Sequence, residues 1–297
     1  MNKKYIENFK IAGELAKQVR NFGKSLIKKG SSYNHVIEQI NVKILELGAK
    51  PAFPPQIALN HVAAHYLPAP HEDIIFADQV VKLDVGVCYN GAIGDCAVTI
   101  DLSGNYQNLI DAAEAALLAA EKAIQPGIRI SEIGKIIEST IASYKLSPIK
   151  NLSGHSLGYY KVHTAPTIPN YDDRSRAILT AGMSFAIEPF ATNGRGFIHE
   201  FGDAMIFSLI KEQKVKTEVS RFLLKKIRSY NGLPFAIHSF CDGTFSYEEI
   251  KNTLNEFTQQ EIIASYPPLI EDVSCMVAQA ENSVLIDLDG SVIVTTR

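Results

Sequence analysis

KLDVGVCYNGAIGDCAVTI, residues 82–100, reads as two strands around a tight turn. Val and Ile recur on both sides of Asn90-Gly91, and that dipeptide accepts the two positive-φ positions of a two-residue hairpin turn. With the turn there, Tyr89 faces Ala92, Asp84 opposes Ala97 and Asp95 opposes Gly86. Asp84 and Asp95 become diagonal neighbours on one face, with Cβ atoms up to roughly 7–8 Å apart. Asp is depleted in strands. Two carboxylates reaching toward each other in an apolar setting repel, so one keeps a proton unless cations lie between them. A bulge at Gly94 is the competing expectation and would change the register.

Three more ionisable side chains sit in comparable surroundings: His155 in LSGHSLG, Glu188 in FAIEPF and Glu281 in VAQAENSVLI. Each has an ordinary reading when taken alone: a solvent-facing histidine, or a glutamate in a salt bridge. A buried Glu must be paired, protonated or bound to a cation, and Arg195 is the basic residue nearest Glu188 in sequence. Pro189 biases Glu188 toward an extended backbone. Gly154, just before His155, would let the backbone approach a metal closely. Together, four carboxylates and an imidazole form a ligand set for two adjacent divalent cations, and hydrolysis is the usual chemistry of such a site. His163 lies further along from His155. A straight strand would hold the two roughly 26 Å apart, so a shared site requires a bend, for which Gly158 is the candidate. His61 and His65 are close together, and periodicity does not choose between them.

The wider composition sets limits. The chain has 297 residues, 46% hydrophobic and 21% charged, with net charge −3, enough to bury a sizeable core without staples. No basic stripe marks it as a nucleic-acid binder. The four cysteines, at 88, 96, 241 and 275, show no CxxC spacing and read as reduced thiols of a cytoplasmic protein. No apolar segment reaches the roughly 18 residues of a membrane span, and the charged, amphipathic start MNKKYIENFKIAGELAKQ is not a signal peptide. The expectation is a cytoplasmic monomer with neither nucleic-acid nor membrane partners.

Hydrophobic periodicity predicts helices over 5–29, 34–47, 105–124, 131–145, 211–230 and 246–257. Strands are expected over 79–102, near 149–153, 183–189 and 204–209, and over 273–296 with a turn at Asp289-Gly290. Residues 51–70 are Pro-rich and read as irregular. The fold class is α+β. Composition shifts at about 207, and the strand pattern resumes past Tyr266-Pro267-Pro268. Residues 207–268 are therefore expected to be a helical insertion within one catalytic domain spanning 1–297.

AFPP at 52–55, LNHVAAHYLP at 59–68, the hairpin at 82–100, NLSGHSLGYYKVHTAPTIP at 151–169, FAIEPFATNGRG at 185–196 and AQAENSVLI at 278–286 occur in this order along nearly the whole chain. In these pieces the chain resembles the type 2 methionine aminopeptidases, in the archaeal-like form without an N-terminal extension. The resemblance implies the pita-bread fold, a curved antiparallel sheet of two related halves covered by helices, with a late helical insertion. It places the metal ligands on Asp84, Asp95, His155, Glu188 and Glu281. Asp95 and Glu281 would bridge two ions, with Asp84 on one and His155 with Glu188 on the other. The ions would be cobalt, manganese, iron or zinc. It also implies His65, rather than His61, and His163 as active-site histidines that bind substrate, Glu188 as proton shuttle, and Phe53 as a wall of the methionine pocket. A tyrosine that some eukaryotic relatives carry near the last strand has no counterpart in EDVSCMVAQAE, which would alter the outer pocket. The implied activity is removal of the initiator methionine before a small second residue. Its partners would be nascent N-termini and methionyl peptides, with the ribosome a candidate. The competing expectations are an X-Pro aminopeptidase or prolidase on the same fold, and a non-catalytic binding paralogue.

Overall fold

Two helices open the chain, α1 (Lys3–Leu26) and α2 (Tyr33–Glu46), in a computed structural model that describes residues 2–297. Asn2 accepts the Tyr5 amide at 2.8 Å and Ser32 accepts that of His35 at 3.1 Å, so each first turn has a partner for an otherwise free N–H.

Four strands follow: β1 (Gln56–Leu59), β2 (Val62–Ala64), β3 (Val80–Tyr89) and β4 (Ala92–Asp101). Asn90 and Gly91 take φ of 49° and 83°, and β3 pairs with β4 so that Asp84 opposes Ala97, Gly86 opposes Asp95 and Tyr89 opposes Ala92. There is no bulge at Gly94, which pairs with Val87. A Cβ there would stand 2.3 Å from the Ala12 carbonyl oxygen of α1. The missing side chain lets the helix lie against the sheet. The expectation that 51–70 is irregular is wrong. β1 adds to the free edge of β3, with Gln56 opposite Asp84, while Pro51, Pro54 and Pro55 sit where they obscure this short pattern.

The second half repeats the plan. Helices α3 (Gln107–Ala123) and α4 (Ile130–Ser143) precede β5 (Ser153–Gly158), β6 (Lys161–Pro169), β7 (Ser184–Ile187) and β8 (Phe190–Thr192). The strand expected near 149–153 starts only at Ser153. Then come β9 (Ile206–Leu209), α5 (Glu218–Arg228), α6 (Tyr247–Gln259) and β10 (Ile263–Tyr266). Helix α5 begins later than its charge pattern predicts, because Thr217 caps it by accepting the Ser220 amide at 3.1 Å. The expected run over 273–296 is three strands, β11 (Val277–Gln279), β12 (Asn282–Ile286) and β13 (Val292–Val294).

The main second-half sheet has the order β13–β12–β7–β5–β6. Helices α1 and α2 pack their buried residues on the β3–β4 half, and α3 and α4 pack theirs behind β7, β11 and β12. Leu223, Leu224 and Ile227 of α5 and Ile250 and Leu254 of α6 join the core that holds α2 and β3. The two halves meet where Ala97 of β4 pairs with Glu281, in the break between β11 and β12.

Candidate active site

The concave faces of both halves open on one pocket of about 450 Å³, lined by Phe53, His65, Asp84, Asp95, His155, His163, Glu188 and Glu281 together. The hairpin register puts Asp84 and Asp95 on the same face, as strand alternation requires. His155 pairs with Ala186 across β5 and β7, which brings Glu188, just past the end of β7, to the same side. His155 Nε2 lies 3.5 Å from Glu188 Oε1 and 3.8 Å from Asp95 Oδ2. Donor atoms of Asp95, His155 and Glu281 all lie within 4.8 Å of one another.

Gly154 has a packing role that its sequence position did not reveal. A Cβ there would meet the Ala186 carbonyl oxygen at 2.4 Å. The glycine lets β5 approach β7.

The electrostatics are severe. Among the described residues, no lysine or arginine pairs with Asp84, Asp95, Glu188 or Glu281. Asp84 Oδ1, Asp95 Oδ1 and His155 Nδ1 are buried without a hydrogen-bond partner. Burial pushes Asp84 up to about 7. Burial, and then the neighbouring negative charges, lift Asp95, Glu188 and Glu281 well above the usual carboxylate range. Burial, with His163 adding to it, takes His155 down to about 3 and His65 down to about 4. Burial thus works against the charged form of each of these imidazoles and carboxylates. Such a donor set, with orphaned oxygens converging and no cationic side chain, fits divalent metal ions.

The family model of Metallopeptidase family M24 matches residues 7–228. A methionine aminopeptidase of Thermococcus onnurineus is 40% identical over 287 residues, covering 96% of this chain and 97% of the relative. The chain belongs to metallopeptidase family M24, in its archaeal-type methionine aminopeptidase branch. Two solved structures share the fold at low identity. The structure of a thermophilic Arx1 superposes with a TM-score of 0.86 at 12% identity, over 99% of this chain and 91% of that one. A methionine aminopeptidase from Thermotoga maritima gives 0.72 at 22% identity, over 100% and 98%. The M24 relationship accords with the pita-bread architecture and with divalent metals as cofactors.

The remaining residues of this M24 pocket come from scattered places. The chain bends between His155 and His163 at Tyr159–Tyr160, with Gly158 paired to Lys161 in the hairpin and Tyr160 at φ 53°. The bend is therefore just beyond Gly158, and it brings the two imidazole centroids to 4.4 Å. His65 adopts φ 61° and reaches the pocket; His61 does not line it. The Phe53 ring lies against β3, where a Cβ on Gly86 would meet a ring carbon at 2.2 Å.

Three contributors escaped the sequence reading. Tyr266 of β10 closes the pocket 5.5 Å from the His65 ring and 6.4 Å from that of His163, with its hydroxyl 2.8 Å from Ser208 Oγ. A tyrosine thus reaches the outer wall from Tyr266-Pro267-Pro268, although EDVSCMVAQAE supplies none. Gln279 donates to Glu281 Oε2 at 3.4 Å. Its signal was present, since it precedes Glu281 by one strand period. Asn170, fully buried, donates to the Leu152 and Glu188 carbonyls; nothing local marks it.

Proposed function

We propose that this chain removes the N-terminal methionine from nascent proteins and peptides, with two divalent ions held by Asp84, Asp95, His155, Glu188 and Glu281. The convergence of these five donors without any cationic side chain carries the reading, and the methionine aminopeptidase relatives support it. When bound, such ions lower the pKa of a water and polarise the scissile carbonyl.

The chain's own groups supply the rest. Glu188, whose proton affinity is raised by burial and by Asp84 and Asp95, accepts a proton from the attacking water and delivers it to the leaving amine. His65 and His163 are both depressed by burial, so they act as neutral N–H donors that hold the scissile amide and stabilise its developing oxyanion. Phe53 forms an apolar wall for the methionine side chain, in a pocket that Pro234 also lines. The proposed organisation is one catalytic domain over 1–297, with an insertion at 207–268 that contributes Pro234 and Tyr266 to the pocket wall. The proposed setting is the cytoplasm, where a monomer meets N-termini leaving the ribosome.

The decisive assay compares Met-Ala-Ser with Met-Lys-Ser across added Co²⁺, Mn²⁺, Fe²⁺ and Zn²⁺. Only the first peptide should be cut efficiently, and chelation should stop the reaction. Equal turnover of both peptides sinks the small-residue preference. Cleavage of Ala-Pro with Met-Ala-Ser untouched moves the chain to prolidase chemistry, and failure to bind any of the metals moves it to a non-catalytic role.

A further inference from the structure

The seam between the two halves carries three rungs, each two residues from the next on both strands. At the centre, the Ala97 amide donates to the Glu281 carbonyl at 3.4 Å and the Glu281 amide to the Ala97 carbonyl at 3.3 Å. These are long bonds. On either side the backbones have parted, and a hydroxyl fills each gap. Ser283 Oγ accepts the Asp95 amide at 2.8 Å and donates to the Asp95 carbonyl at 2.9 Å. Thr99 Oγ1 accepts the Gln279 amide at 2.8 Å and donates to the Gln279 carbonyl at 2.6 Å.

The two grips are crosswise. Ser283 belongs to β12 and holds a residue of β4, whereas Thr99 belongs to β4 and holds a residue of β11. Both hydroxyls are buried, with Ser283 at 0% and Thr99 at 4% exposure. The backbone of Ser283 is occupied elsewhere: its amide donates to Thr296 Oγ1 and its carbonyl accepts from the Thr295 amide, both at 2.9 Å. Its hydroxyl is thus the part of Ser283 that bonds across the seam. What each grip holds belongs to the donor cluster. Asp95 is itself a donor, and the Gln279 carboxamide hydrogen-bonds Glu281.

We propose that Ser283 and Thr99 are a matched pair of positioning residues. By clamping both backbone groups of Asp95 and of Gln279 across the seam, they set the spacing of the acidic donors and hence the affinity for the second divalent ion. The inference rests on the dinuclear hydrolase reading above. It asks for more than a stable fold: the central rung alone is slack, and five donors must share one geometry although they come from opposite halves. Partners that orient ligands without touching the metal typically contribute about 10–100-fold in metal affinity.

The test uses full-length protein freed of metal by chelation. Mn²⁺ is titrated calorimetrically into the wild type, Ser283→Ala, Thr99→Val and the hydroxyl-preserving pair Ser283→Thr and Thr99→Ser. Wild-type protein should take two equivalents. Ser283→Ala and Thr99→Val should each weaken the second binding event by about 10–100-fold, and Ser283→Thr and Thr99→Ser should restore it. With Met-Ala-Ser, the two hydroxyl-free variants should lose kcat at limiting Mn²⁺, recover it in excess Mn²⁺ and keep KM. Thr99→Val keeps the side-chain shape, so it decides the matter if Ser283→Ala does not fold.

Wild-type Mn²⁺ affinity in both hydroxyl-free variants overturns the proposal, as does failure of both to fold, which would make the hydroxyls part of the scaffold alone. Uptake of no Mn²⁺ by the wild type overturns it too. Wild-type protein that binds two equivalents yet leaves methionyl peptides intact removes the methionine reading and leaves the clamp to be judged on binding.

Discussion

The two halves of the sheet deliver their donors in opposite ways. In the β3–β4 half, Asp84 and Asp95 come from one hairpin whose own turn fixes their register. In the other half, His155 lies on β5, Glu188 just past β7 and Glu281 just before β12, and these strands meet only when the sheet is assembled. The first arrangement is local and self-repelling: it forces two acids together before anything neutralises them. The second is non-local and supplies the imidazole together with the remaining acids. A buried site of this kind needs both, since neither half holds a complete donor set.

The sharpest way to break the comparison is to remove the donor that faces both halves. Asp95→Ala should abolish divalent-ion binding by calorimetry and cut turnover of Met-Ala-Ser on the order of a thousandfold or more. Full activity would dismiss the site. Next, Glu188→Gln keeps the shape of the second-half donor and removes its proton affinity, so kcat should fall by about 10²–10⁴-fold with KM little changed. A change confined to KM would make Glu188 a binding group only.

A stability experiment then isolates the first half. Gly94→Ala drives a methyl into the Ala12 carbonyl, and overpacking of this sort costs about 1–3 kcal/mol. Urea denaturation should show that loss, and Gly104→Ala is no control because Gly104 has φ 79°. An unchanged midpoint would mean that α1 is free to lift off the sheet.

The smallest effect concerns pH. Carboxylates raised by burial bind protons in the folded chain that the unfolded chain, titrating near about 4, has released. Their contribution to metal-free stability is therefore present at low pH and is lost as pH rises toward the folded values, about 7 for Asp84. His65 and His155, depressed to about 4 and about 3, act in the opposite sense below about 6.5. Between pH 6.5 and 8 the carboxylates decide, so metal-free protein should melt higher at pH 6.5, on the order of 2–4 °C for each kcal/mol recovered. Saturating Mn²⁺ should remove or reverse that trend, because metal binding displaces the protons. A metal-free melting point that rises with pH over this window would contradict the buried, unneutralised state of the four acids.

What could be read in the chain follows the same division. The hairpin register was legible because Asn90-Gly91 fixes it over a short distance, and the helices were legible because their apolar residues repeat at helical spacing. The seam was not, since the pairing of Ala97 with Glu281 depends on strands far apart in sequence and carries no local mark. Glycines were visible, but what they make room for was not: Gly94 accommodates α1, and Gly154 accommodates β7. Strands β1 and β2 hid behind prolines, and Tyr266 looked like the end of a helical stretch until folding turned it onto His65. Among the candidate site residues, the motif pieces carried Phe53, His65, His163 and the five acidic and imidazole donors, Gln279 was marked only by standing one strand period before Glu281, and Asn170 became recognisable only through the atoms it touches.

The position of Glu281 in the break between β11 and β12 has a consequence for biosynthesis. Translation makes Asp84 and Asp95 early and Glu281 long after the other four donors. With the proposed ligand set, a ribosome halted before that codon yields a chain whose first hairpin can form but whose metal site lacks a donor. On that proposal a copy still being translated is inert, and so is a protease-clipped product lacking β11 and β12, however much of its core survives.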